Sequence, residues 1–145
     1  MMTSSRLASL VLLVSATALA APATGTAGDW QTPTGSVIRV HPCGSSICLT
    51  VVKLPPNVPT TDVHNPDAAL QKRPICGVDI GTGFNQKDAT HLSDGHLYDP
   101  ITGHTYRGTI SSEGDDLHLR GYVGISMFGR SETWKRVPPV QACHA

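Results

Sequence analysis

Residues 117–125 read LHLRGYVGI. Leu117, Leu119, Gly121 and Val123 fall on one side of this stretch and His118, Arg120 and Tyr122 on the other. A period of two belongs to a β-strand with one buried and one wetter face, as in the wall of a sandwich or barrel. Working outward, "SSEGDD" precedes it as a turn. Before that, "SDGHLYDPITGHTYRGTI" supplies an Asp94-Gly95 turn, a short strand to Tyr98, a Pro-x-x-Gly turn and a strand over 104–110. Further back, "SVIRV" (36–40) and "ICLTVVKL" (47–54) flank the turn "HPCGSS" as a hairpin, and "GVDI" (77–80) is another strand. The count reaches about eight short strands, a common number for a small antiparallel barrel. The fold class expected is therefore all-β.

One segment breaks the pattern. "LPPNVPTTDVHNPDAALQKRP" (54–74) is long and proline-rich, and a loop of this length calls for a local element. Asn65 reads as a helix N-cap, Pro66 as the first helical position and Asp67 as an acid at the positive end of the dipole. Lys72 and Arg73 close one or two turns before Pro74. One short helix within 62–74 is the expectation.

At the N-terminus, Arg6 precedes an apolar run from Leu7 to Ala20 that ends in Ala-Leu-Ala. The run is too short for a stable membrane span and reads as a signal peptide over 1–20, leaving a single domain over 21–145. No cysteine stands immediately after the cleavage point and no other apolar run reaches membrane length, so the expectation is an exported chain without a stable membrane anchor, delivered to a periplasm or the medium. Beyond the leader, ten Lys and Arg face eleven Asp and Glu, which gives no field to attract nucleic acid. The seven aromatic residues are too few for a base-stacking platform.

All four cysteines (Cys43, Cys48, Cys76, Cys143) lie beyond the leader and lack the paired C-x-x-C spacing of a structural zinc site. Disulfides follow. Three connectivities exist, and the favoured one joins Cys43 to Cys48 and Cys76 to Cys143. In the chain-entropy view these stabilise by about 2 and about 4 kcal/mol.

Catalytic constellations fail one by one. Gly124-Ile125-Ser126 begins like a nucleophile elbow, but Phe128 stands where the second glycine belongs and a strand follows instead of a helix. Ser126 is read as a corner residue between two strands and Phe128 as covering apolar surface. The seven histidines form no compact ligand pair; His96 and His104 approach only if a hairpin brings them across, and no metal is expected. "GTGF" (81–84) lacks the helix of a phosphate loop and reads as a turn or bulge. Asp94, Asp99 and the Asp115-Asp116 pair sit at turn positions. Arg107, Arg120, Arg130 and Arg136 lie on or beside strands. Arg120, with Tyr122 and Tyr106, forms the candidate ligand-binding set if it points into a polar cavity; otherwise it covers the outside.

Four ordered motifs carry a resemblance: "GDWQTPTGSVIRVHPCGSSICL", "TDVHNPDAALQKRP", "GHLYDPITGHTYRG" and "LHLRGYVGISMFGRSETWKRV". Together they resemble the exported bacterial family of domain of unknown function 2147 across nearly all of the mature chain. The matching positions are Asp62, Asn65-Pro66 and Arg73 in the loop, Tyr98-Asp99-Pro100 and 103–106 in the hairpin, and Gly129-Arg130, Trp134 and Arg136 at the end. Cys76 and Cys143 depart from that pattern. The resemblance implies an exported β-domain with no established reaction.

Gly28-Asp29-Trp30 is similar to the G-x-W start of lipocalins and their calycin relatives. That similarity implies a Trp30 packed across the barrel floor against an arginine of the last strand, Arg136 or, failing it, Arg130. The functional expectation is an exported, non-catalytic barrel, without cofactor, that binds a small or amphipathic ligand. A structural or protein-interaction domain with a filled interior comes second, and an enzyme of unknown reaction third.

Overall fold

In the computed structural model, residues 24–124 and 129–143 are described. The stretch read as a leader (1–20) and Ser126 and Phe128, read as part of a corner, lie outside the described residues. Eight antiparallel strands follow in chain order: β1 (Gly28–Gln31), β2 (Val37–Cys43), β3 (Ser46–Lys53), β4 (Asp79–Asp88), β5 (His91–Asp99), β6 (His104–Glu113), β7 (Asp116–Tyr122) and β8 (Arg130–Val137). Each pairs with its neighbour and β8 returns to β1, closing the barrel. Closure removes both free sheet edges.

The register follows the alternation. Leu117 and Leu119 point inward, opposite Trp134 and Glu132 of β8, and both leucines are buried. The strand ends at Tyr122, so Val123, expected on the inner face, is instead 68% exposed. Another expectation changes. Asp94-Gly95 is no turn: β5 runs through it, with a register shift between Leu92 and Gly95 and Asp94 at φ 59. The chain reverses earlier, at Ala89-Thr90. The bulge exists because Phe84, fully buried, lies flat over Gly95, where an added Cβ would fall 2.3 Å from the ring. "GTGF" lies within β4 at irregular pairing with β3, in keeping with the bulge and not the turn alternative.

The expected helix shrinks to one 3-10 turn (Ala68–Leu70) capped by Asp67, whose side chain accepts from the Ala69 amide. Asn65 is not the cap, because its carboxamide is used elsewhere: Oδ1 accepts from the Asp67 amide and Nδ2 donates to Asp62.

Antiparallel order puts the β2–β3, β4–β5 and β6–β7 turns at one end, with Phe84, Leu92, Ile110 and Leu117 packed beneath them. Trp30 seals this floor. Its ring is fully buried, its Nε1 donates to the Thr26 carbonyl at 2.9 Å, and the Arg136 guanidinium lies 4.1 Å from its ring centroid. Arg136 donates in turn to the carbonyls of Gly25 (2.7 Å) and Ala27 (3.1 Å), so one side chain joins the entry segment to β8. A guanidinium stacked on a desolvated indole and bonded to carbonyls contributes through both its charge and its plane.

After β8 the chain doubles back over the outside of β1–β3. Asp29, buried, takes a bidentate pair from Arg39 (2.7 and 2.8 Å) and a bond from the Val140 amide (2.8 Å). Burial alone would raise this carboxyl, but Arg39 and the Val140 amide outweigh it and hold it below its ordinary value. Further along the tail the Cys143 amide bonds to the Val52 carbonyl. Cys143 is paired with Cys76, and Cys43 with Cys48.

Candidate functional site

The other end of the barrel stays hollow. A chamber of about 430 Å³ opens there. Its depth is apolar, formed by Ile38, Val51, Ile80, Leu97, Leu119 and Trp134. Volume and character fall within the range of small-molecule sites. The chamber exists because side chains at this end of the strands are smaller or more polar than those packed around Phe84. Gly121, for example, offers no side chain where Leu119 and Leu117 fill the interior lower down the same strand.

The β3–β4 connection lies across the mouth and contributes Leu54, Val58, Pro59 and Ile75 to the lining. It is held by Asp62, which is fully buried. Its carboxylate accepts from Tyr98 Oη (2.5 Å), Asn65 Nδ2 (2.8 Å) and Arg73 Nε (2.8 Å), and its amide donates to the Arg73 carbonyl (3.0 Å). Burial would raise the Asp62 carboxyl, yet the bonds from Tyr98, Asn65 and Arg73 together keep it below its ordinary value. The same arrangement, burial first and the hydrogen bond to Asp62 second, pushes Tyr98 up to about 12. Arg73 also lies 5.8 Å from the Tyr98 ring centroid. A buried carboxylate is tolerable here because every partner is a donor.

The residues singled out in the sequence separate into four places. Asp62, Asn65 and Arg73 come together with Tyr98 in the strap. Trp30 and Arg136 meet at the floor. Arg130 does not join them: it lines the chamber mouth, six residues up β8. Of the candidate ligand set, Tyr106 lines the chamber, whereas Arg120 and Tyr122 take the outward parity of β7 and are absent from the lining, with Arg120 donating to Ser131 Oγ at 3.2 Å. Leu117 and Leu119 claim the inner positions, which forces the alternate residues outward.

His96 pairs with Arg107 and His104 with Asp99, three steps apart and on opposite faces. Among the described residues no group of three His, Cys, Asp or Glu is placed to hold a metal. Tyr98 and Glu132 escaped attention as site residues. For Glu132 the signal was available: residues 130, 132, 134 and 136 share one parity, so a buried Trp134 carries Arg130, Glu132 and Arg136 inward with it.

A closed eight-stranded antiparallel barrel with a hollow end is a lipocalin-like fold. The fold is similar to that of protein HP1028 from Helicobacter pylori, described as belonging to the lipocalin family, with a TM-score of 0.70, 20% identity, and coverage of 77% of this chain and 82% of that one. Residues 28–136 match the family described as "uncharacterized protein conserved in bacteria (DUF2147)", and the chain belongs to that family. No curated protein matches the sequence.

Proposed function

We propose that this protein is an exported, non-catalytic carrier that binds one small apolar or amphipathic molecule in the chamber at the open end of its barrel. The observation that carries the reading is the chamber itself, apolar in its depth and bordered by polar groups at its mouth. It favours a carrier over a structural module with a filled interior. The non-catalytic part rests on the sequence, in which no nucleophile, base or metal set passes the tests of spacing. Export is supported by the leader over 1–20 and by the two cysteine pairs. Among the described residues no helix is long and apolar enough to cross a membrane.

Titration with the neutral fluorophore N-phenyl-1-naphthylamine tests the binding reading. Saturable one-site binding is expected, and Gly121→Phe, which fills the chamber from its wall, should abolish it. Absence of binding by the intact protein would remove the proposal. N-terminal sequencing of the chain recovered from cell fractions tests export; a chain starting near Ala21 outside the cytoplasm is the expected result.

A further inference from the structure

Most polar groups around the chamber are already committed to the protein itself. Thr32 bonds Thr34 and the Ser36 amide; Tyr98 bonds Asp62; Asp99 holds its own turn through the Ile101 amide and the Thr102 hydroxyl. Among the described residues four lining groups remain uncommitted: the Ser36 hydroxyl in the β1–β2 connection, the Tyr106 hydroxyl, the Arg130 guanidinium and one oxygen of Glu132. The other Glu132 oxygen accepts from Trp134 Nε1 at 2.8 Å, which orients the carboxylate.

Three of these four share one wall. Arg130 and Glu132 stand two residues apart on the inner face of β8, about 7 Å along the strand. Arg130 pairs in register with Gly121, and a Cβ built on Gly121 would lie 3.4 Å from the Cβ of Tyr106. The missing side chain at Gly121 therefore leaves a gap between Tyr106 and Arg130. Arg130 and Glu132 are opposite in charge and next to each other on one face, yet they make no ion pair with each other. A purely anionic head group at this wall meets Glu132, a purely cationic one meets Arg130, and a hydrocarbon leaves both charges without a partner.

We infer that the chamber selects a zwitterionic amphiphile, whose anionic group is taken by Arg130 and Tyr106 and whose adjacent ammonium is taken by Glu132, with its apolar body against Leu119 and Trp134. The inference rests on the carrier reading above and deepens it. The anion can be a carboxylate or a phosphate, since a guanidinium and a hydroxyl donate equally well to either.

Displacement of N-phenyl-1-naphthylamine by four probes of equal chain length tests it: 2-aminodecanoate, decylphosphoethanolamine, decanoate and decylamine. At least one of the two zwitterions should displace the fluorophore about tenfold better than decanoate or decylamine, the effect of one extra charge-assisted hydrogen bond. The two zwitterions compared with each other separate an amino-acid head from a phosphate-based one. Arg130→Gln should remove the advantage over decylamine, and Glu132→Gln the advantage over decanoate. Fluorophore binding retained by both variants shows that they are folded. If decanoate or decylamine equals the zwitterions, or if neither substitution changes the ranking while the fluorophore still binds, the inference falls and the carrier reading stands. If the fluorophore does not bind the intact protein, both fall.

Discussion

The two ends of the barrel are closed by different chemistry. At the floor, large apolar side chains fill the interior and one arginine lies over one tryptophan, so that the contact is mostly dispersion and desolvated charge. At the mouth, a strap of irregular chain crosses an unfilled chamber and is held at a single buried carboxylate by three side-chain donors. Packed interiors resist small displacements because every neighbour must move together. A polar clasp depends on a few directional bonds, each of which has water as a competitor. The difference assigns rigidity to the floor and, on the carrier proposal, ligand access to the mouth, and it makes the mouth the end at which substitutions change local opening ahead of global stability.

The largest effect expected is at the floor. Trp30→Ala should destabilise by about 3–5 kcal/mol, read as a lowered denaturation midpoint, because it leaves a cavity and strands Arg136 without its ring. Removing the tail staple with Cys76→Ser and Cys143→Ser should cost about 4 kcal/mol by the same measurement, since it releases a long closed loop. Arg136→Ala should follow at about 3 kcal/mol, the combined loss of a desolvated cation–π contact and charge-assisted bonds to carbonyls. An unchanged melting temperature for this variant would remove the floor closure as described.

Tyr98→Phe should cost only about 1 kcal/mol globally, but should speed amide hydrogen exchange selectively over 60–76. Equal acceleration around the whole barrel would erase the distinction between the two ends.

Dependence on pH sharpens the same comparison. Asp62 and Asp29 are held below their ordinary 3.8, so the stability they contribute is present above that value and lost as pH falls through their folded values. Tyr98 is raised from 10.0 to about 12, so its contribution is complete below pH 10 and lost as pH rises toward 12. Urea midpoints measured against pH should therefore fall at both extremes. Asp62→Asn should flatten part of the acid limb, and Tyr98→Phe should remove its share of the alkaline one.

Much of the barrel was legible in short-range pattern. The alternation at 117–122 gives the inner and outer faces of β7 directly, and the Pro-x-x-Gly stretch turns the chain where expected. Asp94-Gly95 misled because Asp-Gly is the usual signature of a turn, whereas here the glycine answers to a distant ring, Phe84. Asn65-Pro66 misled for a related reason: a good helix start was overridden when Asn65 found Asp62 as a partner. For Arg120 the sequence left two directions open, into a cavity or over the outside, for want of a reference face. Once Leu117 and Leu119 are known to point inward, its outward direction follows.

By itself, the sequence determined the strand class, the turn at Gly114-Asp115, the short hairpin holding Cys43 and Cys48, and the family. Each of these depends on residues close together in the chain or on local backbone preference. Only the tertiary structure decided which end is hollow, that Asp62 is the clasp of the strap, and that Arg130 and Glu132 share the chamber wall without pairing. Those features depend on volume left over after packing and on partners tens of residues apart, and neither is encoded by any local period.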